Sequence, residues 1–186
     1  MQASNLTNQF LIAMPSLRDP NFSQTVTYVC AHNEDGAMGL VINRPANCAL
    51  GEILTQMEMT PDDQSIAKLP VYQGGPVHTD RGFVLHEPGS QWDSSINVCD
   101  ALGITTSRDI LHAISESAGP DKFLIALGYA GWSAGQLEEE IKENAWLNVS
   151  ADLDIIFDTP CELRWSSATA LLGIDHYQLS TGFGHA

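Results

Sequence analysis

The sequence predicts an α+β fold with a mixed, largely antiparallel sheet and a few helices, in a single domain of residues 1–186. Apolar segments typical of strands follow one another with only turns between them, which favours direct strand pairing over helical crossovers. Segments with helical periodicity are fewer and lie between groups of strands. Apolar residues make up 44% of the 186 positions, which is enough for one real core.

Eight segments have the composition and patterning of strands. Residues 24–31 are rich in β-branched side chains and alternate, and a turn at 33–36 predicts a hairpin with 37–43. Pro45 ends the second strand of that hairpin, because proline cannot donate a hydrogen bond to a sheet. The predicted strands are 9–14, 24–31, 37–43, 70–73, 82–86, 95–98, 122–129 and 154–158.

Four segments place apolar residues at helical spacing, and two of them carry recognisable end signals. Gly119-Pro120 ends the second helix, and Ser133 with Gln136 matches a capping box at the start of the third. The last residues, 180–186, are expected to form a loose tail. The predicted helices are 50–59, 106–118, 133–146 and 165–172.

The charge balance argues against direct binding to nucleic acid or to an anionic membrane. Eight Lys and Arg residues stand against 23 Asp and Glu, so the formal net charge is −15. Affinity for DNA depends on cationic side chains that neutralise phosphates, and here no run of them exists. No apolar stretch approaches the ~18 residues of a membrane-spanning helix, and the N-terminus does not resemble a signal peptide. We therefore expect a cytoplasmic protein.

The cysteines and histidines do not have the spacing of a metal or disulfide framework. Four cysteines lie far apart with no CxxC pair, and six histidines include no HExxH or HxH group. In the cytosol, reduced thiols are the expectation. The sequence predicts neither a metal nor a cofactor.

The first candidate site is a glycine-rich segment that joins a predicted strand to a predicted helix. Gly131, Trp132, Ser133 and Gln136 could hold a small anion, because helix N-termini offer free N–H groups and partial positive charge. The alternative is structural: the glycines allow a tight turn and Ser133 caps the helix. Gly131-Trp-Ser133-Ala-Gly135 also fits the GxSxG pattern of a nucleophilic serine, with only His176 and His185 downstream as partners.

The second candidate site combines a glycine pair with two arginines. The backbone at Gly74 and Gly75 could approach a ligand closely, and Arg81 could bind a carboxylate through two hydrogen bonds. Arg44, between a strand and Pro45, could do the same. A turn with structural Asp–Arg pairing is the alternative for each. A shared site requires all these segments to converge on one concave pocket.

Three blocks of the sequence closely resemble the AlgH/YqgE family of small bacterial proteins. The resemblance implies an α+β fold with a bent, bifurcated sheet that forms a pseudo-barrel packed with helices. It also implies a regulatory role, since members are commonly labelled transcriptional regulators. It implies no catalytic residue and no cofactor. The matching blocks are FLIAMPSLRDPNFSQTVTYVCAHNEDGAMGLVINRP (10–45), YQGGPVHTDRGFVLH (72–86) and ALGYAGWSAGQLEEEIKENAWL (126–147).

These observations favour a non-enzymatic cytosolic protein that binds or regulates. It would act through a protein partner or a small anionic ligand, and its part in transcription would be indirect rather than by DNA contact. The alternative is a small-anion metabolite sensor, or an enzyme not recognised from its motifs, with its site at the predicted helix start at 131–136.

Overall fold

The structure is a computed structural model, and it describes residues 4–174. Over these residues the chain forms ten strands, six helices and a single 3-10 turn at Cys161–Leu163. The strands are β1 (Gln9–Ala13), β2 (Val26–Asn33), β3 (Gly36–Val41), β4 (Pro45–Ala49), β5 (Pro70–Gln73), β6 (Val77–His86), β7 (Ser95–Cys99), β8 (Leu102–Thr105), β9 (Phe123–Ser133) and β10 (Trp146–Ser150). The helices are α1 (Leu50–Gln56), α2 (Gln64–Ala67), α3 (Arg108–Ser115), α4 (Gln136–Lys142), α5 (Leu153–Phe157) and α6 (Arg164–Ala170).

All ten strands belong to one sheet that curls into a half-barrel. The main path runs β10-β1-β2-β3-β9-β6-β8-β7, and every pair along it is antiparallel. Strand β5 lies off this path, parallel to β9 and antiparallel to β4. The α+β class and the β2–β3 hairpin are as the sequence predicted.

The sheet branches at β9, the longest strand. On one side of β9, its C-terminal residues pair with β3, where Ala130 lies opposite Gly39. Further towards its N-terminus the neighbour is β5 instead, with Tyr72 opposite Ala126. Gly128 stands between these two stretches with φ of 74°, a left-handed conformation that favours glycine. The branch therefore coincides with a residue that can leave regular strand geometry.

Helices pack on both faces of the sheet, as the alternation of strand side chains requires. Phe83 and Leu85 point into a core cluster shared with α5 and α6. Val84, between them in the sequence, points the other way into a cluster with α1 and α3. A third cluster joins α4 to Leu11 and Trp146. Within the described residues, no helix is long and apolar enough to span a membrane.

Two predicted elements near the C-terminus are wrong. Residues 154–158, predicted as a strand, lie mostly in helix α5, whose N-cap Asp152 accepts hydrogen bonds from the backbone N–H groups of Asp154 and Ile155. The predicted helix 133–146 is too long at both ends. In the structure, α4 begins at Gln136 and ends at Lys142, and Trp146 begins strand β10. The predicted tail, 180–186, lies outside the described residues.

The predicted capping box at Ser133 is also wrong. Ser133 is the last residue of β9 and pairs with Gly36, so the strand occupies the position that the helix was expected to start from. The N-cap of α4 is Gly135, with φ of 76° and no side-chain cap. Gln136 still accepts a hydrogen bond from the backbone N–H of Ser133, at 3.0 Å.

The remaining differences are elements that the sequence analysis did not predict. Strands β4 and β8 and helix α2 fall in stretches for which the sequence predicts neither a strand nor a helix. Strand β6 begins at Val77, five residues before the predicted start. Its pairing with β9 shifts in register between Val77 and Gly82. Pro45 is the first residue of β4, a position where the absence of its N–H is tolerated.

Candidate ligand-binding groove

Two adjoining cavities form one groove between α1, α3, β4 and β6. The first has a volume of about 510 Å³ and the second about 460 Å³, within the range typical of sites for small molecules. Cys48 and Leu127 line both of them. We call the two together the α1–α3 groove.

The first cavity has an apolar floor and a polar rim. Its polar side chains come from α1, from β6 and from the segment that joins β8 to α3. At the start of α3, Arg108 donates a 2.8 Å hydrogen bond to the carbonyl of Met57 and links the two helices. Apolar walls with a few polar groups are typical of ligand sites. The apolar lining residues are Ile53, Met57, Val84, Leu111, Ile125 and Leu127. The polar ones are Glu52, Gln56, Asp80, Thr105, Thr106, Ser107 and Arg108.

The second cavity contains two of the residues singled out in the sequence, Arg44 and Gly75. Arg44 is half-buried, and its Nη1 donates to the carbonyls of Pro20 and Asn21, each at 2.7 Å. Its Nη2 donates to the carbonyl of Ser23 at 3.1 Å. The guanidinium thus holds the loop before β2 with three of its five donors, and Nε and the second Nη2 hydrogen are not used by residues 4–174.

The glycine pair makes its closest approaches to the protein's own backbone. The N–H of Gly74 donates to Leu127, and its carbonyl accepts from Val41, so it bridges β9 and β3 at the branch of the sheet. A Cβ on Gly74 would lie 2.3 Å from the carbonyl oxygen of Gly128, and one on Gly75 would lie 2.1 Å from the carbonyl carbon of Tyr129. Glycine is required at both positions to bring the β5–β6 connection against β9.

Arg81 is exposed and lies beside the groove rather than in it. Its guanidinium carbon is 5.6 Å from the centre of the Phe83 ring. Its neighbours Asp80 and Gly82 line the first cavity, but Arg81 does not.

The segment 131–136 lies outside both cavities of the groove. Trp132 is only 6% exposed and packs against Phe22 and Trp146. Its Nε1 donates to Glu140 at 2.8 Å, and Gln136 donates to the same carboxylate at 3.0 Å. The structure therefore brings Arg44, Gly74 and Gly75 together, and it places Trp132 and Gln136 in a separate hydrogen-bonded cluster around Glu140.

Ser133 does not show the surroundings of an activated nucleophile in the described part of the chain. It is exposed, and its hydroxyl donates to Gln136 Oε1 at 3.2 Å. No histidine among residues 4–174 makes a hydrogen bond to it. The two downstream histidines considered as partners, His176 and His185, lie outside the described residues.

The sequence analysis missed a buried polar relay at the edge of the first cavity. His86 Nδ1 donates to the carbonyl of Glu87 at 2.8 Å, because a carbonyl can only accept. In the neutral imidazole, Nε2 then accepts from the hydroxyl of Thr105 at 2.7 Å, and Thr105 accepts from Ser95 at 2.6 Å. Thr105 is fully buried and has its hydroxyl engaged in both directions, so it positions the cavity wall. These three residues are far apart in the sequence, and no local motif signals their contact.

Outside the groove, the surroundings of Cys30 and of Glu138 shift their pKa values in opposite directions. Burial raises the pKa of the Cys30 thiol to about 12, so this cysteine stays protonated and unreactive at neutral pH. The pKa of Glu138 lies below its ordinary value, because its own backbone N–H and then His32 donate hydrogen bonds to the carboxylate. His32 Nδ1 accepts from the N–H of Leu6, so Nε2 carries the hydrogen that reaches Glu138 at 2.7 Å.

Within residues 4–174, no group of three or more His, Cys, Asp or Glu side chains is placed to hold a metal ion. The α1–α3 groove offers a ligand apolar contacts, hydrogen-bonding groups, the positive charges of Arg44 and Arg108, and the carboxylates of Glu52 and Asp80.

Comparison with known proteins identifies relatives that match the chain over nearly its full length. The AlgH-like family model matches residues 10–177. A UPF0301 protein of Thioalkalivibrio sulfidiphilus is 55% identical over 184 residues, covering 99% of this chain and 98% of that protein. One from Photobacterium profundum is 54% identical over 186 residues, covering 98% of this chain and 100% of its own length.

Solved structures agree with these matches. The solution structure of the AlgH protein from Pseudomonas aeruginosa superimposes with a TM-score of 0.82 at 50% identity, over 100% of both chains. The crystal structure of protein DIP2367 from Corynebacterium diphtheriae shares the fold alone, with a TM-score of 0.70 at 18% identity over 91% of this chain and 88% of that one. The chain belongs to the AlgH-like family.

Proposed function

We propose that this protein is a non-enzymatic cytoplasmic binding protein that regulates by holding a small ligand in the α1–α3 groove. The observation that carries the proposal is the pair of neighbouring cavities that share Cys48 and Leu127 as lining residues. Combined, they suit an elongated ligand that lies across both. The apolar floor would bind its body, and the ordered polar rim would fix its orientation.

The charges of the groove favour a ligand whose one acidic group lies in the second cavity. Among the described residues that line this cavity, Arg44 has no acidic neighbour, whereas Glu52 and Asp80 line the first cavity with Arg108. Arg44 stands at one end of the groove and keeps two of its donors unused by residues 4–174. Because carbonyl groups already fix three of its hydrogens, the guanidinium is held in place before a ligand arrives, and little side-chain entropy is lost on binding. The acidic group would lie near Arg44 and Gly75, and the apolar part near Ile53 and Leu127.

A regulatory role would be indirect. The net charge of −15 repels nucleic acid over a long range. A ligand-dependent change at the surface of α1 and α3, read by another protein, accounts for regulation without DNA contact.

The test uses octanoate, with octanol as an uncharged control and duplex DNA as a third arm. Gly82 lines the first cavity, and a Cβ there meets nothing within 4 Å, so Gly82→Leu fills the cavity without a backbone clash. Gly89 is equally open but does not line the groove, so Gly89→Leu is the matched control.

We expect octanoate to raise the thermal midpoint of the wild-type chain and of Gly89→Leu, and not that of Gly82→Leu. Ligand at 100 times its Kd adds about 2.7 kcal/mol, which corresponds to roughly 5–10 °C for a chain of this size. A shift with DNA alone, or a shift with octanoate that persists in Gly82→Leu, contradicts the proposal.

A further inference from the structure

A third cavity lies where the parallel strands β5 and β9 begin. It has a volume of about 430 Å³, and helix α5 and the start of α6 close it. Its walls are mainly aromatic and aliphatic, with Tyr72, Phe123 and Phe157 among them. Two cationic side chains, Lys122 and Arg164, also line it.

Arg164 is an unusual residue for such a place, because it is only 5% exposed. Its Nε donates to the carbonyl of Thr159 at 3.0 Å, and Nη1 donates to the carbonyl of Ile42. Its guanidinium carbon lies 4.9 Å from the centre of the Tyr72 ring. These contacts fix the plane of the guanidinium and leave Nη2 without a hydrogen bond to residues 4–174.

No carboxylate within the described residues forms an ion pair with Arg164. Removing a cation from water without a counter-ion costs several kcal/mol, and buried charges are normally paired. Carbonyl groups and the Tyr72 ring offset part of this cost, but they supply no negative charge. The buried guanidinium therefore has the properties of a receptor for an anion that enters the cavity.

We propose that this cavity binds a small monocarboxylate with an aromatic or apolar body. The carboxylate would accept hydrogen bonds from the free Nη2 edge of Arg164, which is the geometry that guanidinium groups offer to carboxylates. The apolar body would lie against Phe123 and Phe157. This cavity shares Ile125 with the first cavity of the α1–α3 groove, but Arg164, Phe123 and Phe157 do not line that groove, and the proposal does not depend on the proposed function.

The rim of the cavity favours a ligand that carries a single negative charge. Asp121 and Asp158 both line it, and Lys122 Nζ is already paired with Asp158 at 2.8 Å. A ligand with a second negative group would face these carboxylates, whereas a monoanion places its only charge at Arg164. Dicarboxylates and phosphate esters are therefore disfavoured.

The experiment titrates the full-length, ¹⁵N-labelled chain with benzoate to 20 mM while the Arg Nε–H signals and the amide signals are recorded. We expect saturable shifts at Arg164 Nε and at Phe123 and Phe157. Benzamide, the uncharged isostere, and phthalate, the dianion, should bind at least tenfold more weakly. Arg164→Lys keeps the charge but loses the planar guanidinium with its paired N–H donors, so it should weaken benzoate binding at least tenfold.

The wild-type comparison of benzoate with benzamide and phthalate decides the question even if Arg164→Lys does not fold. Gly82→Leu, which fills the α1–α3 groove, should leave benzoate binding unchanged. The proposal is overturned by the absence of saturable shifts, by equal affinity for benzamide, or by loss of binding in Gly82→Leu.

Discussion

The carboxylate of Glu140 is expected to be a major stabilising group of the face that carries α4. It accepts hydrogen bonds from Trp132 Nε1 at 2.8 Å, from Trp146 Nε1 at 2.9 Å and from Gln136 Nε2 at 3.0 Å. Trp132 and Trp146 are 6% and 2% exposed. Glu140→Ala leaves two buried indole donors without a protein partner, at about 1–3 kcal/mol each. Water that enters the vacated space offsets part of this cost, so we expect the free energy of unfolding to fall by about 2–4 kcal/mol.

The assay is urea unfolding followed by far-UV circular dichroism, compared with Glu139→Ala. Glu139 is on the same helix, but its carboxylate is exposed, and among residues 4–174 it bonds only Lys142. Its removal should change the free energy of unfolding by less than about 0.5 kcal/mol. Glu140→Gln should fall between the two. Both indoles bond the same carboxylate oxygen, which a neutral amide oxygen can replace, but the amide NH2 then faces Gln136 Nε2, a second donor. A difference under about 0.5 kcal/mol between the two alanine variants would refute the reasoning.

Two further perturbations test the branch of the sheet and the pH response. Gly128 and Gly135 have similar left-handed conformations, but a Cβ on Gly128 would lie 2.5 Å from the carbonyl oxygen of Gly75, while one on Gly135 meets nothing within 4 Å. Gly135→Ala should therefore lower the free energy of unfolding in urea by about 1 kcal/mol, and Gly128→Ala should lower it by about 2–5 kcal/mol. Equal losses would show that the close approach at Gly128 is relaxed at little cost. The pKa of Glu138 is lowered on folding. Its contribution to the free energy of unfolding is therefore fully present above the unfolded-state pKa of about 4.3, and it is lost as the pH falls through the folded-state pKa. The stability difference between wild type and Glu138→Gln should thus shrink between pH 6 and pH 3, and a difference that stays constant over that range contradicts the assignment.

The sequence predicts most strands of this fold because alternation and β-branched side chains are signals that a short segment carries by itself. Residues 24–31 carry both signals, and they form most of β2. A short apolar run such as Ile155–Phe157 fits a strand and a helix equally well, which explains why the sequence predicts a strand at 154–158 although Asp152 caps a helix there. Strand β10 begins at Trp146 because pairing with β1, distant in the sequence, outweighs the helical pattern that precedes it.

The candidate site is predictable only as far as local chain conformation determines it. The proximity of Arg44 and Gly75 follows from the pairing of β4 with β5, which a single sequence does not reveal. The separation of the 131–136 segment has a physical cause: β9 continues through its glycines and pairs with β3, so no helix begins at Ser133. The buried charge of Arg164 carries no local signal, since its partners are carbonyl groups remote in the sequence.

The branching of the sheet at β9 also determines when this protein can fold during synthesis. Strands β1–β3 and β5–β8 are made before residues 123–133, yet β9 is the strand that joins the two groups. Strand β1 also pairs with β10, where Gln9 lies opposite Ser150, so the partner of β1 is synthesised more than a hundred residues later. Such high contact order slows folding, and the two unfinished halves expose sheet edges until β9 leaves the ribosome. Native structure should therefore form only after release of almost the whole chain, and premature termination before residue 133 should yield aggregation-prone fragments rather than a smaller folded unit.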